Sequence, residues 1–226
     1  MAKKNIIHLI GYIDKVIQST EESVLISLKI QKDDKKKFVF PLVELPTSIL
    51  VDDDKIECSN AVFIDGILKT ESVKFKKQCP SCGKEMASCT IITKVVANKV
   101  FFLNPTQNDA YLNKVLLLGS LCKTPEFKYI KGTHSPISNM KYQLAVNGTL
   151  PNESNYPWIS TFARQANEDK KRLKVGSQIM VDGALITRYT WKERLCEHCG
   201  ESNIFKEFRT EVQGLSIEYL NNCLFL

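Results

Sequence analysis

Residues 62–68 read VFIDGIL, and residues 179–185 read IMVDGAL. Each is an apolar run that passes into Asp-Gly, a pattern that predicts a buried strand. The 117 positions between Gly66 and Gly183 recur, without a gap, for the following pairs: Cys79 and Cys196, Cys82 and Cys199, Gly83 and Gly200, Thr93 and Thr210, Val95 and Val212, Leu103 and Leu220. A constant offset over this length indicates an internal repeat, so the two halves should share one fold.

The beginnings of the two halves also match. Residues 5–11 (NIIHLIG) resemble residues 113–119 (NKVLLLG) at an offset of 108, so the second half has nine additional residues in its middle. We therefore expect one unit at 1–103, a second unit at 113–226, and a linker at 104–112 that is polar and rich in turn formers.

Both halves predict mainly β-structure. Alternating or continuous apolar runs predict strands, and each half has one short helical element between its third and fourth strands. In the first half the strands are expected at 6–13, 24–30, 38–42, 62–68 and 91–103, with a short helix or turn at 49–57; in the second half at 114–121, 141–146, 158–163, 178–185 and 207–220, with a helix at 164–172. This order predicts an all-β fold with short helices: two tandem OB-folds, which are five-stranded Greek-key barrels.

Composition limits the class of protein. The 226 residues are 43% hydrophobic and 25% charged, which is ordinary for a soluble globular chain. Apolar runs are far shorter than the roughly 18 residues of a membrane helix, and the N-terminal run is too short for a signal peptide. We therefore expect a cytoplasmic protein without membrane contact. The net charge of +6 fits a polyanionic partner only weakly.

Several motifs of the second half resemble the bacterial single-stranded-DNA-binding protein (SSB) family. They are, in order, NKVLLLGSL at 113–121, LKVGSQ at 173–178, DGALITRY at 182–189 and FRTEV at 208–212. The resemblance implies OB-folds, four of which surround single-stranded DNA. It also implies a homo-oligomer, since members with two folds per chain dimerise and this chain resembles that arrangement.

The resemblance and the composition together predict the residues that contact nucleic acid. A strand binder that ignores sequence combines stacking aromatic rings with basic side chains. The candidates are Trp158, Phe162, Arg164, Arg188, Tyr189, Trp191, Lys192 and Arg194 in the second half, and Phe40, Lys74 and Lys76 in the first. An alternative interpretation places some of the rings in the core and leaves the lysines merely solvated. Because the first half has fewer aromatic residues, we expect it to bind more weakly or mainly to mediate assembly.

Two Cys-x-x-Cys-Gly sequences, at 79–83 and 196–200, have the form of zinc knuckles. A structural zinc ion takes four ligands, and each sequence supplies two, so we expect Cys79, Cys82, Cys196 and Cys199 to bind structural Zn²⁺. The four thiolates can come from one chain or from two. Local completion by Cys89 or His198 is a third arrangement.

These features favour a protein that binds and protects single-stranded DNA without sequence preference in replication, recombination or plasmid or phage DNA metabolism. The alternative is an OB-fold assembly subunit of a larger replication or recombination complex, with minor DNA contact. RNA stays open as a ligand, because the same fold and stacking serve both polymers. An enzyme is not expected: the sequence has no Walker loop and no Ser/His/Asp pattern, and zinc held by four thiolates leaves no open position.

Overall fold

The computed structural model describes residues 4–32, 37–51, 56–103, 111–132, 135–148 and 153–224. The strands of the first half are β1 (Asn5–Ser19), β2 (Ser23–Gln31), β3 (Phe38–Val39), β4 (Leu42–Pro46), β5 (Ala61–Gln78) and β6 (Glu85–Leu103). Those of the second half are β7 (Leu112–Leu121), β8 (Glu126–Ile130), β9 (Ile137–Asn147), β10 (Ser154–Asn155), β11 (Trp158–Phe162), β12 (Gln178–Leu195) and β13 (Ser202–Asn221), with helix α1 at Ala163–Arg172. The all-β class with short helices is confirmed.

Each half closes into a five-stranded barrel. In barrel 1, β1 pairs with β2 and β5, β4 pairs with β2 and β6, and β5 pairs with β6. Barrel 2 repeats the circuit with β7, β9, β11, β13 and β12. Alternate side chains of these strands fill the interior, as Ile7 and Leu9 do in β1 and Val115 and Leu117 do in β7, all with no exposed surface.

The two barrels are joined edge to edge. Strands β1 and β7 pair antiparallel, from Asn5 opposite Leu117 to Ile10 opposite Leu112. Neither strand therefore leaves an unpaired edge at this position, and one continuous sheet runs in the order β13-β12-β7-β1-β5-β6. The pairing relates the barrels by an approximate two-fold axis.

Several local predictions need correction. The strand expected at 38–42 is two strands, β3 and β4, and strand β8 was not predicted. In place of a helix at 49–57 there is a 3₁₀ turn at Thr47–Ile49, while residues 52–55 lie outside the described part of the chain. Most of the predicted linker, residues 104–110, also lies outside it, and β7 begins at Leu112. Among the described residues, no helix is long and apolar enough to cross a membrane.

The two Asp-Gly sequences mark bulges where long strands bend. The register of β5 shifts between Asp65 and Gly66, and that of β12 shifts between Asp182 and Gly183. A Cβ atom at Gly183 would lie 2.2 Å from the carbonyl oxygen of Gln213. Only glycine lets the neighbouring strand approach so closely, which explains why the repeat keeps glycine there.

The Gly183→Ala variant should therefore lose about 1–3 kcal/mol of stability, because the added methyl group overlaps backbone rather than a movable side chain. The measurement is the midpoint of denaturant unfolding. Ser216→Ala, at an exposed position of β13, serves as the control and should change stability by less than about 0.5 kcal/mol. Equal effects of the two substitutions would contradict the close approach.

Beyond the barrels, two hairpins extend as long β-ribbons. We call residues 70–93 of β5 and β6 arm 1, and residues 187–210 of β12 and β13 arm 2. The arms cross, and each one contacts the opposite barrel. Thr187 Oγ1 accepts a hydrogen bond from the backbone N–H of Phe40 at 3.0 Å, and Thr70 Oγ1 accepts one from Tyr156 at 2.8 Å. Because Thr70 and Thr187 are 117 positions apart, the crossing follows the repeat.

Candidate metal centre and nucleic-acid interface

The tips of the two arms have the same backbone geometry. Gly83 N–H donates to the carbonyl of Cys79 at 2.8 Å, and Gly200 N–H donates to that of Cys196 at 2.9 Å. The φ angles of the two glycines are +70° and +73°. Glycine occupies this left-handed region without the cost that a side chain would add, so the turn explains the glycine that ends each Cys-x-x-Cys-Gly sequence.

The crossing of the arms brings the four cysteines of one chain together. All four Sγ atoms lie within 4.8 Å of one another, with Cys79 Sγ 3.7 Å from Cys199 and Cys82 Sγ 3.8 Å from Cys196. A zinc–sulfur bond of about 2.3 Å gives a tetrahedron with edges of about 3.8 Å, whereas sulfur atoms in a disulfide are about 2.05 Å apart. The four cysteines are close enough to hold a metal ion, and their spacing fits a tetrahedral site.

The surroundings favour thiolate at Cys79 but not at Cys199, where the backbone hydrogen bond of Glu201 lowers the pKa while burial and the neighbouring thiols raise it to about 12. Cys79 and Cys196 are buried and pack with Met86 and Phe205. The backbone N–H of Cys82 and that of Ser81 donate to the Cys79 sulfur and, against the opposing effect of burial, lower the pKa of this thiol to about 6. A thiolate is the form that binds a metal.

Neither residue considered for local completion joins the cluster. The group of four contains only Cys79, Cys82, Cys196 and Cys199. Cys89 lies on arm 1, where its sulfur is 2.8 Å from Ser72 Oγ. His198 lies at the tip of arm 2 and is exposed. The geometry therefore favours an arrangement that takes two ligands from each arm of the same chain.

Two of the predicted DNA contacts, Lys192 and Arg194, lie on the inner face of arm 2, which packs against arm 1. Arg194 donates to the carboxylate of Glu207, and Lys192 Nζ lies 4.0 Å from it. Thr90 of arm 1 donates to the same carboxylate at 3.3 Å. Burial raises the pKa of Glu207, but the hydrogen bonds from Arg194 and Arg209 outweigh it and keep this pKa below its usual range. These cations already have a carboxylate partner within the protein.

Arg188 lies at the base of arm 2 and is linked to Trp158 through Glu211 and Lys141. Its guanidinium is 2.6 Å from the buried carboxylate of Glu211, which Lys141 also contacts at 2.7 Å. Lys141 Nζ lies 4.9 Å from the centre of the Trp158 ring and Lys123 Nζ lies 5.5 Å from it. Trp158 is half-buried, so one part of its ring packs while cations cover another part.

Barrel 1 contains the equivalent cluster with its charges exchanged. Lys94 lies 2.7 Å from Glu44 and 3.0 Å from Glu71. Lys94 corresponds to Glu211 and Glu71 to Arg188, each at the offset of 117 positions. At this point barrel 1 therefore surrounds a cation with carboxylates, whereas barrel 2 surrounds a carboxylate with cations.

The outer face of arm 2 carries exposed aromatic rings. Tyr189 is 60% exposed and Trp191 is 68% exposed. Phe208 lies opposite Tyr189 on the neighbouring strand and meets it edge to face at 5.4 Å. Lys206 Nζ lies 3.9 Å from the centre of the Tyr189 ring and 5.9 Å from that of Trp191. Phe208 and Lys206 are not among the predicted contacts, although the cross-strand register of a β12–β13 hairpin would indicate them.

The remaining predicted contacts are spread over the molecule. Phe162 is half-buried beside the start of α1, and Arg164 is exposed in the first turn of that helix. On arm 1, Lys74 is exposed, and Lys76 forms an exposed ion pair with Glu85 at 2.7 Å that raises its pKa. Phe40 is half-buried, and its backbone anchors arm 2.

The profile of the Single-strand binding protein family matches residues 112–211. The single-stranded DNA-binding protein A of Bacillus subtilis is 35% identical over 114 residues, which are 48% of this chain and 59% of that protein. The single-stranded DNA-binding protein 2 of Staphylococcus aureus (strain COL) is 33% identical over 115 residues, covering 48% of this chain and 73% of that protein. The chain thus spans about three fifths of the first relative and almost three quarters of the second.

Among solved structures, the wild-type single-stranded DNA binding protein from Thermus aquaticus resembles the whole chain. The TM-score is 0.62 with 17% sequence identity, and the superposition covers 98% of this chain and 95% of that one. At this identity the likeness concerns the fold, and it includes both halves.

Proposed function

The chain belongs to the single-strand binding protein family, and from this premise we propose that it binds single-stranded DNA without sequence preference and protects it. The role is non-catalytic. We also propose that the chain consists of two units, 1–103 and 113–226, and that it acts as a homo-oligomer. Both curated relatives described above are named for single-stranded DNA binding.

The observation that carries this proposal is the outer face of arm 2. Tyr189 and Trp191 expose more than half of their surface, and Lys206 lies over both rings. Exposed rings with cations beside them provide stacking for bases and charge for phosphates, and neither interaction depends on base identity.

We further propose that the ion at the four cysteines is structural zinc. Four thiolates form a closed set of soft ligands, which suits Zn²⁺ and leaves no position for a reacting water. Bound there, the ion would hold the tips of the crossed arms together. The residues that would hold it are Cys79, Cys82, Cys196 and Cys199.

Titration with oligo-dT, followed by tryptophan fluorescence at two salt concentrations, tests the DNA proposal. We expect strong quenching and an affinity that falls as salt rises, because phosphate contacts release counterions. The chain has two tryptophans, so Trp191→Phe assigns the signal: it should remove most of the quenching if Trp191 stacks on bases. Failure of the wild-type protein to bind at low salt would refute the proposed function.

A further inference from the structure

A groove of about 680 Å³ lies between barrel 1 and arm 2. Barrel 1 contributes Phe38, Phe40 and Leu42 to its lining, and arm 2 contributes Arg188, Tyr189 and Phe208. The volume lies within the range of roughly 300–1,000 Å³ that is typical of small-ligand sites. The groove therefore has room for a nucleotide unit, and it contains aromatic rings from both halves of the chain.

We propose that this groove is a composite nucleotide-binding site, in which a base of single-stranded DNA stacks on rings supplied jointly by barrel 1 and arm 2. The inference rests on the proposed function, and it states where on the protein a base of the DNA binds. It adds Phe208, which the sequence did not indicate as a contact.

The charges around the groove suit a polyanion with flat bases. Lys29 Nζ lies 4.4 Å from the centre of the Phe38 ring on the barrel side, and Lys206 Nζ lies 3.9 Å from that of Tyr189 on the arm side. Arg188 is fixed by its ion pair with Glu211 while 44% of its side chain stays exposed. Asp14 lies in the same lining, next to Lys15, so cations outnumber carboxylates around the rings.

The crossing of the arms creates this site. The hydrogen bond from Phe40 N–H to Thr187 Oγ1 fixes the base of arm 2 against barrel 1. As a result, Tyr189 and Phe208, which belong to the second half in sequence, lie over the first barrel in space. The first half therefore gains two aromatic rings in addition to its own Phe38 and Phe40.

The corresponding position on arm 1 has no such rings. At the offset of 117 positions, Ser72 takes the place of Tyr189 and Ile91 that of Phe208. Glu71 takes the place of Arg188, and it pairs with Lys94. At these positions arm 1 thus carries a hydroxyl, an aliphatic side chain and a carboxylate. We therefore expect the composite site at the barrel 1–arm 2 junction and not at the barrel 2–arm 1 junction.

Oligo-dT affinities of the full chain test the proposal through a double-mutant cycle of Phe38→Ala and Tyr189→Ser. The second substitution gives arm 2 the residue of arm 1. Each single variant should weaken binding by about 5-fold to 100-fold, the loss expected for one stacked base. Because both rings face one groove, the effects should be non-additive. Tyr189→Phe keeps the ring, so its affinity for oligo-dT should stay near that of the wild type. Ile91→Ala on arm 1 should also leave the affinity for oligo-dT unchanged.

Photocrosslinking of an oligonucleotide containing 5-iododeoxyuridine provides an independent readout. Cross-linked peptides from both barrel 1 near Phe38 and arm 2 near Tyr189 would support the composite site. If the wild-type protein binds but Phe38→Ala and Tyr189→Ser bind equally well, the composite site is refuted while the proposed function stands. If the wild-type protein does not bind oligo-dT, both are refuted.

Discussion

Replacing Cys79 with serine should abolish stoichiometric metal binding and separate the tips of the arms. Substitutions outside the ligand shell of a metal site already weaken metal affinity by up to roughly 100-fold. Removing one of the four thiolates should therefore weaken zinc affinity by much more. The barrels should stay folded, since their cores do not include the cluster. Metal content of the purified protein gives the first readout, and hydrogen exchange of amides in residues 78–85 and 195–202 gives the second, because local opening speeds exchange.

The control for this variant is Cys58→Ser. Cys58 is exposed and stands outside the cluster, so its replacement should leave metal content and arm-tip exchange unchanged. Chelation of the wild-type protein should reproduce the exchange pattern of Cys79→Ser. If Cys79→Ser keeps a full complement of zinc, the four-cysteine site is wrong.

Replacing Glu211 with glutamine should destabilise the protein by about 3 kcal/mol at neutral pH. Glu211 is 1% exposed in its side chain and accepts from Lys141, which is itself only 17% exposed. Breaking a buried pair by removing one partner leaves the other charge uncompensated, at a cost of about 3–5 kcal/mol. Arg188 contributes less to this cost, because its exposed side chain is solvated.

The pH dependence separates this cause from simple loss of packing. Burial raises the pKa of Glu211, but hydrogen bonds from Lys141 and Arg188 outweigh it, so the folded pKa lies below the unfolded value of about 4.3. The stability that the ionised group provides is present above that value and is lost as pH falls through the folded pKa. The difference in the free energy of unfolding between the wild type and Glu211→Gln should therefore be at its full size at pH 7 and should decrease below about pH 4.

Two further variants complete the test in denaturant unfolding. Glu218→Gln, at an exposed position of the same strand, should have almost no effect. The double variant Glu211→Gln/Lys141→Met should recover part of the loss, because it removes the uncompensated lysine. A loss that is independent of pH, with no recovery in the double variant, would contradict the ion-pair explanation.

Much of the fold could be predicted from the sequence, because the sequence patterns that indicate strands and helices are local. The apolar alternation of the strands and the helix near 164–172 depend on neighbours along the chain, and the offset of 117 positions can be read by comparing the two halves of the sequence. Strands β3 and β4 were merged and β8 was missed, since these are short and β8 is largely exposed. Short exposed strands have weak periodicity, and their pairing with longer strands decides whether they form.

For the candidate site, the amino-acid sequence shows which side chains are available: two Cys-x-x-Cys-Gly turns with their glycines, and a set of rings and cations on the second half. Where these side chains meet depends on the tertiary structure. Bulges at Gly66 and Gly183 bend the long strands, and hydrogen bonds of Thr70 and Thr187 to the opposite barrels make the arms cross. These contacts join residues far apart in the chain, so no local pattern encodes them. They bring the four cysteines of one chain together and put Tyr189 of the second half over the first barrel.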